Sequence, residues 1–118
     1  MTKLNQHFAR AEFECHCGCG FNVVDAELLQ VLTALRARFG AVTINSGARC
    51  ATHNKNEGGG KNSQHLLGQA ADVVVQDTSS NLVAHWFENQ YPDKYGIGRY
   101  IGRTHIDVRA NPARWDNR

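Results

Sequence analysis

The segment SQHLLGQAADVVV, Ser63 to Val75, ends in a run that reads as a buried strand, and that run contains Asp72. A lone carboxylate inside an apolar strand is costly to bury. The fold must therefore bring partners to Asp72 from elsewhere in the chain. Side chains of an extended strand alternate between faces, so Ala70, Asp72 and Val74 share one face, and Ala71, Val73 and Val75 the other. His65 lies upstream, across a turn that Gly68 permits. His105 comes from a late strand-like segment whose Ile106 and Val108 point the opposite way.

Two imidazoles and one carboxylate from separate elements make a set for one metal ion, with a position left open. That is a catalytic zinc arrangement. A calcium or magnesium site would use oxygen donors instead of two imidazoles. The plain alternative is that each histidine is a hydrogen-bonded polar residue at a strand end.

The remaining pattern predicts an α+β fold with a small antiparallel sheet and two main helices. VVDAELLQVLTALRARFG is the clearest helix: Asp25 caps it, Leu28, Leu32, Leu35 and Phe39 recur at helical spacing, and Gly40 ends it. AVTINS follows as a short strand, with Val42 and Ile44 on one face. Residues 47–64, with Gly58, Gly59 and Gly60 in succession, read as a long irregular loop. SSNLVAHWFENQ is the second amphipathic helix, with Leu82, Val83, Trp86 and Phe87 as its apolar side. GIGRYIGRTHIDVR reads as two strands with a turn near Gly102 and Arg103.

A chain of 118 residues is most simply one domain, residues 1–118. A formal charge of +2, with no basic run, gives no footprint for nucleic acid. No stretch reaches the roughly 20 apolar residues of a membrane span. The N-terminal MTKLNQHFARAEF lacks an apolar signal region, so the expectation is synthesis in the cytosol, without a signal peptide. Nothing demands more than a monomer.

Around the histidines, three ordered motifs resemble the zinc peptidases of the M15 type, the D-Ala-D-Ala carboxypeptidase and phage endolysin peptidase group. The family pattern S-x-H-x-x-G-x-A-x-D is met by Ser63, His65, Gly68, Ala70 and Asp72; SGARCATHN resembles the upstream element, and HIDVR the downstream one. FARAEFECHCGCG also looks like the opening of the smaller branch of the group, so the resemblance covers about residues 8–109. It implies the fold shared with hedgehog-type domains, and His65, Asp72 and His105 as zinc ligands.

It further implies a role for Arg49 at the carbonyl or carboxylate region of a substrate, a task that a fixed charge with five donors suits. The plain reading of Arg49 is a surface arginine paired with Glu57 or Asp72. Ser63 matches a motif serine that steadies the ligand loop or the substrate; its plain reading is a turn former. The general base is a departure. Many relatives carry an acidic residue three positions before the last ligand, and others a histidine five before; here Gly102 and Tyr100 stand there. Asp107 is the nearest candidate, either as general base or as an acceptor that orients His105. His53 and His85 are weaker ones.

Cys15, Cys17, Cys19 and Cys50 admit three readings: disulfides, a structural zinc site, or free thiols. A covalent or metal tie between the N-terminal cluster and Cys50 is the favoured one. Trp115 is expected to pack against the last strand or lie exposed, without serving as a ligand platform. The resemblance thus implies a zinc metallopeptidase acting on the peptidoglycan stem peptide, as carboxypeptidase or endopeptidase. Two settings suit such a chain: a phage endolysin released by a holin-type pore, or a cytosolic enzyme acting on wall fragments. The alternative is a catalytically weak zinc-containing module that binds peptidoglycan or serves in a phage particle.

Overall fold

A computed structural model describes residues 3–60 and 63–118. Lys61 and Asn62, within the segment expected as a loop, lie outside the described residues. Helix α1 (Ala26–Phe39) begins where Asp25 accepts hydrogen bonds from the Glu27 and Leu28 amides, and it ends at Gly40, whose φ is 96°. Those two residues do what the sequence predicted of them. Strand β1 (Val42–Ser46) follows, then a short helix α2 (Ala51–Asn56). This helix corrects the expectation of an irregular loop over 47–64. A 3-10 turn (Gln64–Leu67) leads through Gly68, at φ 67°, into β2 (Ala70–Val75). Helix α3 (Ser80–Gln90) precedes β3 (Gly96–Tyr100), β4 (Arg103–Asp107) and β5 (Ala113–Asp116).

The strands form one sheet in the order β1-β2-β4-β3-β5. All neighbours are antiparallel except β3 and β5, which run parallel. The α+β class with two main helices is as expected; the fifth strand, in the tail, is not. One face of the sheet carries Ile44, Ala71, Val73, Ile97 and Ile106, buried against Leu28, Leu32 and Leu35 of α1 and Val83, Ala84 and Phe87 of α3. This is the hydrophobic core. Leu82, expected on the apolar side of α3, is instead 48% exposed, and Trp86 is half-buried against Phe39. The turns of α3 at Val83 and Phe87 are the ones that meet the sheet.

Helices α1 and α3 cover that one face, which leaves the opposite face free to carry polar chemistry. No helix of the described residues is long and apolar enough to cross a membrane.

Candidate active site

Register assembles the site. Asp72 of β2 stands opposite His105 of β4; His105 stands opposite Gly98 of β3; and Gly98 stands opposite Trp115 of β5. On the other side Asp72 stands opposite Ser46 of β1, where the register shifts between Ile44 and Ser46. That bulge lets Ile44 enter the core while Ser46 joins the polar face. Bulges re-aim side chains in this way. A single row thus crosses all five strands: Ser46, Asp72, His105, Gly98, Trp115.

Gly98 is required in this row. A Cβ there would lie 2.4 Å from Trp115 Nε1 and 2.5 Å from Cε2. The missing side chain lets the indole lean across β3 to the His105 ring, 4.9 Å between centroids. The indole N–H donates to the Tyr100 hydroxyl at 2.9 Å. Trp115 therefore both packs on the sheet and lines the cleft, where the sequence reading saw only packing or exposure.

His65 arrives from the turn before β2. Its backbone amide donates to Ser63 Oγ at 3.3 Å, so Ser63 caps the turn. Its Nδ1 lies 2.7 Å from the Gly47 carbonyl oxygen, and its Nε2 lies 3.5 Å from Asp72 Oδ2. Gly47 can offer that carbonyl because it packs against the Phe13 backbone, with room for no side chain: a Cβ would come within 2.8 Å of Phe13 Cα. His105 presents Nδ1 to Asp72 Oδ1 at 3.2 Å and Nε2 to Asp107 Oδ2 at 2.7 Å.

Each imidazole is thus held by one nitrogen on a fixed acceptor and turns the other toward Asp72. One ligand atom from each of His65, Asp72 and His105 lies within 4.8 Å of the others. All three are buried, with 3%, 6% and 7% exposure. The donor set suits a divalent ion with nitrogen and oxygen ligands. The two outer acceptors, Gly47 and Asp107, select the tautomers that such binding needs.

The electrostatics follow from burial and pairing. Burial alone would raise the Asp72 carboxyl pKa, but hydrogen bonds from His105 and His65 outweigh it and hold the group well below the ordinary range. Asp107 behaves alike: burial opposes ionisation, and Arg109 and His105 more than offset it. Burial would lower the His105 pKa, but Asp107 and Asp72 raise it instead.

Asp107 is fully buried. Its Oδ1 accepts from the Gly96 amide and Arg109 Nε, and its Oδ2 accepts from Arg109 Nη2 as well as facing His105. It is not among the residues lining the cleft. Gly96 makes this possible, since a Cβ there would sit 2.5 Å from Asp107 Oδ2. Arg49 donates from Nε to Ser46 Oγ, from Nη1 to Asn54 Oδ1 and from Nη2 to Asp72 Oδ2, the last at 3.2 Å. The pairing with Asp72 weighed from sequence is present, at the cleft wall.

The cleft has a volume of about 400 Å³. Around His65, Asp72 and His105 stand Arg49, Arg103 and Arg109, with Ser63, Gln64, Tyr100 and Trp115, and Glu57 at the glycine-rich rim. A neighbouring hollow of about 230 Å³ shares Arg49, Glu57, Asp72 and Arg103 and adds His16 and His53. His53 faces this second hollow, 3.5 Å from Glu57. His85 stays on the α3 surface beside Asn89. Sequence reasoning did not single out Tyr100, Arg103 or Arg109 as wall residues. Arg103 and Arg109 had a signal, since both share the two-residue strand period of His105 and Asp107; Tyr100 joins them because the hairpin pairs it with Arg103.

Comparison with curated proteins finds no match. A scan of protein-family models matches Peptidase M15 over residues 6–107, a span that holds His65, Asp72, His105 and Asp107. By that match over most of its length, with the motif residues gathered on one face of the sheet, the chain belongs to the Peptidase M15 family.

Proposed function

We propose that the protein is a zinc metallopeptidase that hydrolyses a peptide bond in the peptidoglycan stem peptide. The observation that carries this reading is the convergence of His65, Asp72 and His105 on the wall of an open cleft, each imidazole steered by an outer acceptor. His65 Nε2, His105 Nδ1 and an Asp72 oxygen would hold the ion. When bound, zinc supplies the Lewis acidity that activates water and polarises the scissile carbonyl.

The chain's own residues supply the rest. Arg49 is tied down at three points and offers a fixed positive charge beside Asp72, where an oxyanion or a substrate carboxylate would be stabilised. Arg103 and Arg109 extend the positive wall, which suits a substrate with free carboxylates. Trp115 offers an apolar face next to His105. Asp107, locked behind His105, serves as its positioning residue and not as the proton acceptor. Apart from Asp72, Glu57 is the one carboxylate on the cleft wall among the described residues, and it takes the role of proton acceptor.

The two adjoining hollows on either side of Arg49 and Asp72 favour a chain running through the site, hence internal cleavage over removal of a terminal residue. Release through a phage-type pore is the setting that suits such an enzyme.

The test is to incubate the protein with purified peptidoglycan, with and without a chelator, and to read the products by mass spectrometry. New internal amino termini that vanish with chelator and return with zinc are expected. Released D-Ala alone would make it a carboxypeptidase. Bound zinc without any cleavage would favour the binding-module alternative.

A further inference from the structure

Away from the histidine site, four sulfurs gather at the start of α2. The Sγ atoms of Cys15 and Cys17 are 3.4 Å apart, those of Cys15 and Cys50 3.8 Å, and those of Cys17 and Cys50 3.6 Å. Cys19 joins them, so that all four sulfurs lie within 4.8 Å of one another. None is bonded to another; the four are free thiols. The covalent version of the tie expected from sequence is therefore not what the structure contains.

We propose that Cys15, Cys17, Cys19 and Cys50 form a second metal site, a tetrathiolate centre for zinc, separate from the histidine site and structural in role. Four sulfurs around zinc at about 2.3 Å form a tetrahedron with edges of about 3.8 Å, and the separations here approach that figure. Apolar packing does not explain the cluster, since Cys17 and Cys19 are exposed. Two backbone amides already point at its sulfurs: Cys50 N–H donates to Cys15 Sγ and His53 N–H to Cys50 Sγ, both at 3.4 Å. Such outer hydrogen bonds steady a metal thiolate.

The local chain is shaped for convergence. Cys15 and Cys19 would stand about 13 Å apart in an extended segment. A turn closed by the Gly18 amide on the Cys15 carbonyl, with Gly18 at φ 83° and Gly20 at φ 89°, folds them back together. The donors are all soft sulfur, which selects zinc over magnesium or calcium. Binding forms the metal–sulfur bonds and releases the protons of thiols that still carry them to solvent; no oxidant is consumed.

The consequence is mechanical. Helix α2 spans Ala51–Asn56, too short to hold itself, and Cys50 is its N-cap. A metal there pins the N-terminal arm to the residue that follows Arg49, and so fixes the arginine loop from behind.

Cobalt(II) tests this on the natural chain. Reduced, metal-stripped protein titrated with cobalt should develop the near-ultraviolet sulfur-to-cobalt charge-transfer band, which imidazole and carboxylate ligands do not produce. The band therefore reports on the cysteines even if the histidine site proves to bind nothing. It should persist in H105A and disappear in a C17S/C50S variant. Zinc-loaded H105A should retain about one zinc per chain, with sulfur neighbours at about 2.3 Å by X-ray absorption. Absence of the band in the reduced natural chain would overturn the proposal. So would four thiols that react with a thiol reagent as fast with zinc as without it, or native protein holding iron or copper at the cysteines.

Discussion

Asp107 carries the sharpest prediction at the scale of single residues. Its carboxylate faces His105 on one oxygen and Arg109 on both, with no route to the cleft. Asp107→Asn keeps the shape and removes the charge. Zinc affinity, measured by competition with a chromophoric chelator, should fall about 10–100-fold, the usual cost of losing such an outer partner. Unchanged affinity would mean that His105 needs no help. Glu57→Gln asks the complementary question. If Glu57 takes the proton, turnover should drop by about 10²–10⁴-fold while bound zinc stays the same. Equal turnover would reduce Glu57 to a rim residue paired with His53.

At the scale of elements, the cleft depends on β5 lying parallel to β3, and on glycine where the two meet. Gly98→Ala would drive a methyl into the Trp115 indole, which rests against the His105 ring and the Arg109 guanidinium and would have to shift into the cleft. The expected cost is about 1–3 kcal/mol of stability, read from chemical denaturation, together with a raised KM as the indole leaves the wall. A neutral result on both measures would show that β5 is dispensable to the site. The bulge in β1 is the matching device at the opposite end of the row, since it turns Ser46 toward Arg49.

For the whole molecule, the buried charges give a stability profile whose sign reverses with metal. In chelated protein, His105 has a raised pKa, so its contribution is full below the unfolded value of about 6.5 and is lost as pH climbs through the folded value. Asp72 and Asp107 have lowered values, so theirs are present above about 3.9 and are lost as pH falls toward the folded ones. The metal-free chain should therefore be most stable between about pH 4 and 6.5. Zinc needs neutral imidazole, so its stabilising effect should grow as pH rises. Thermal melts with and without chelator should diverge above about pH 6.5. A chelated chain whose Tm climbs from neutral to alkaline pH would contradict this account.

Local chemistry was written in the chain itself. Asp25 and Gly40 bound α1 because a cap and a left-handed residue act on their own neighbours. Asp72 within AADVVV demanded partners because a buried carboxylate cannot stand alone. His65 and His105 were legible as those partners through motif spacing. Folding alone decided what depends on strand order. The parallel pairing of β5 brings Trp115 to His105, the β1 bulge turns Ser46 to Arg49, and the close approach of Phe13 frees the Gly47 carbonyl for His65. The place of Asp107 also came from folding, because burial behind His105 is a property of the packed sheet and not of the spacing H-I-D. Short-range rules fix caps, turns and alternation; contacts between segments far apart in the chain come from register and packing, which no single stretch encodes.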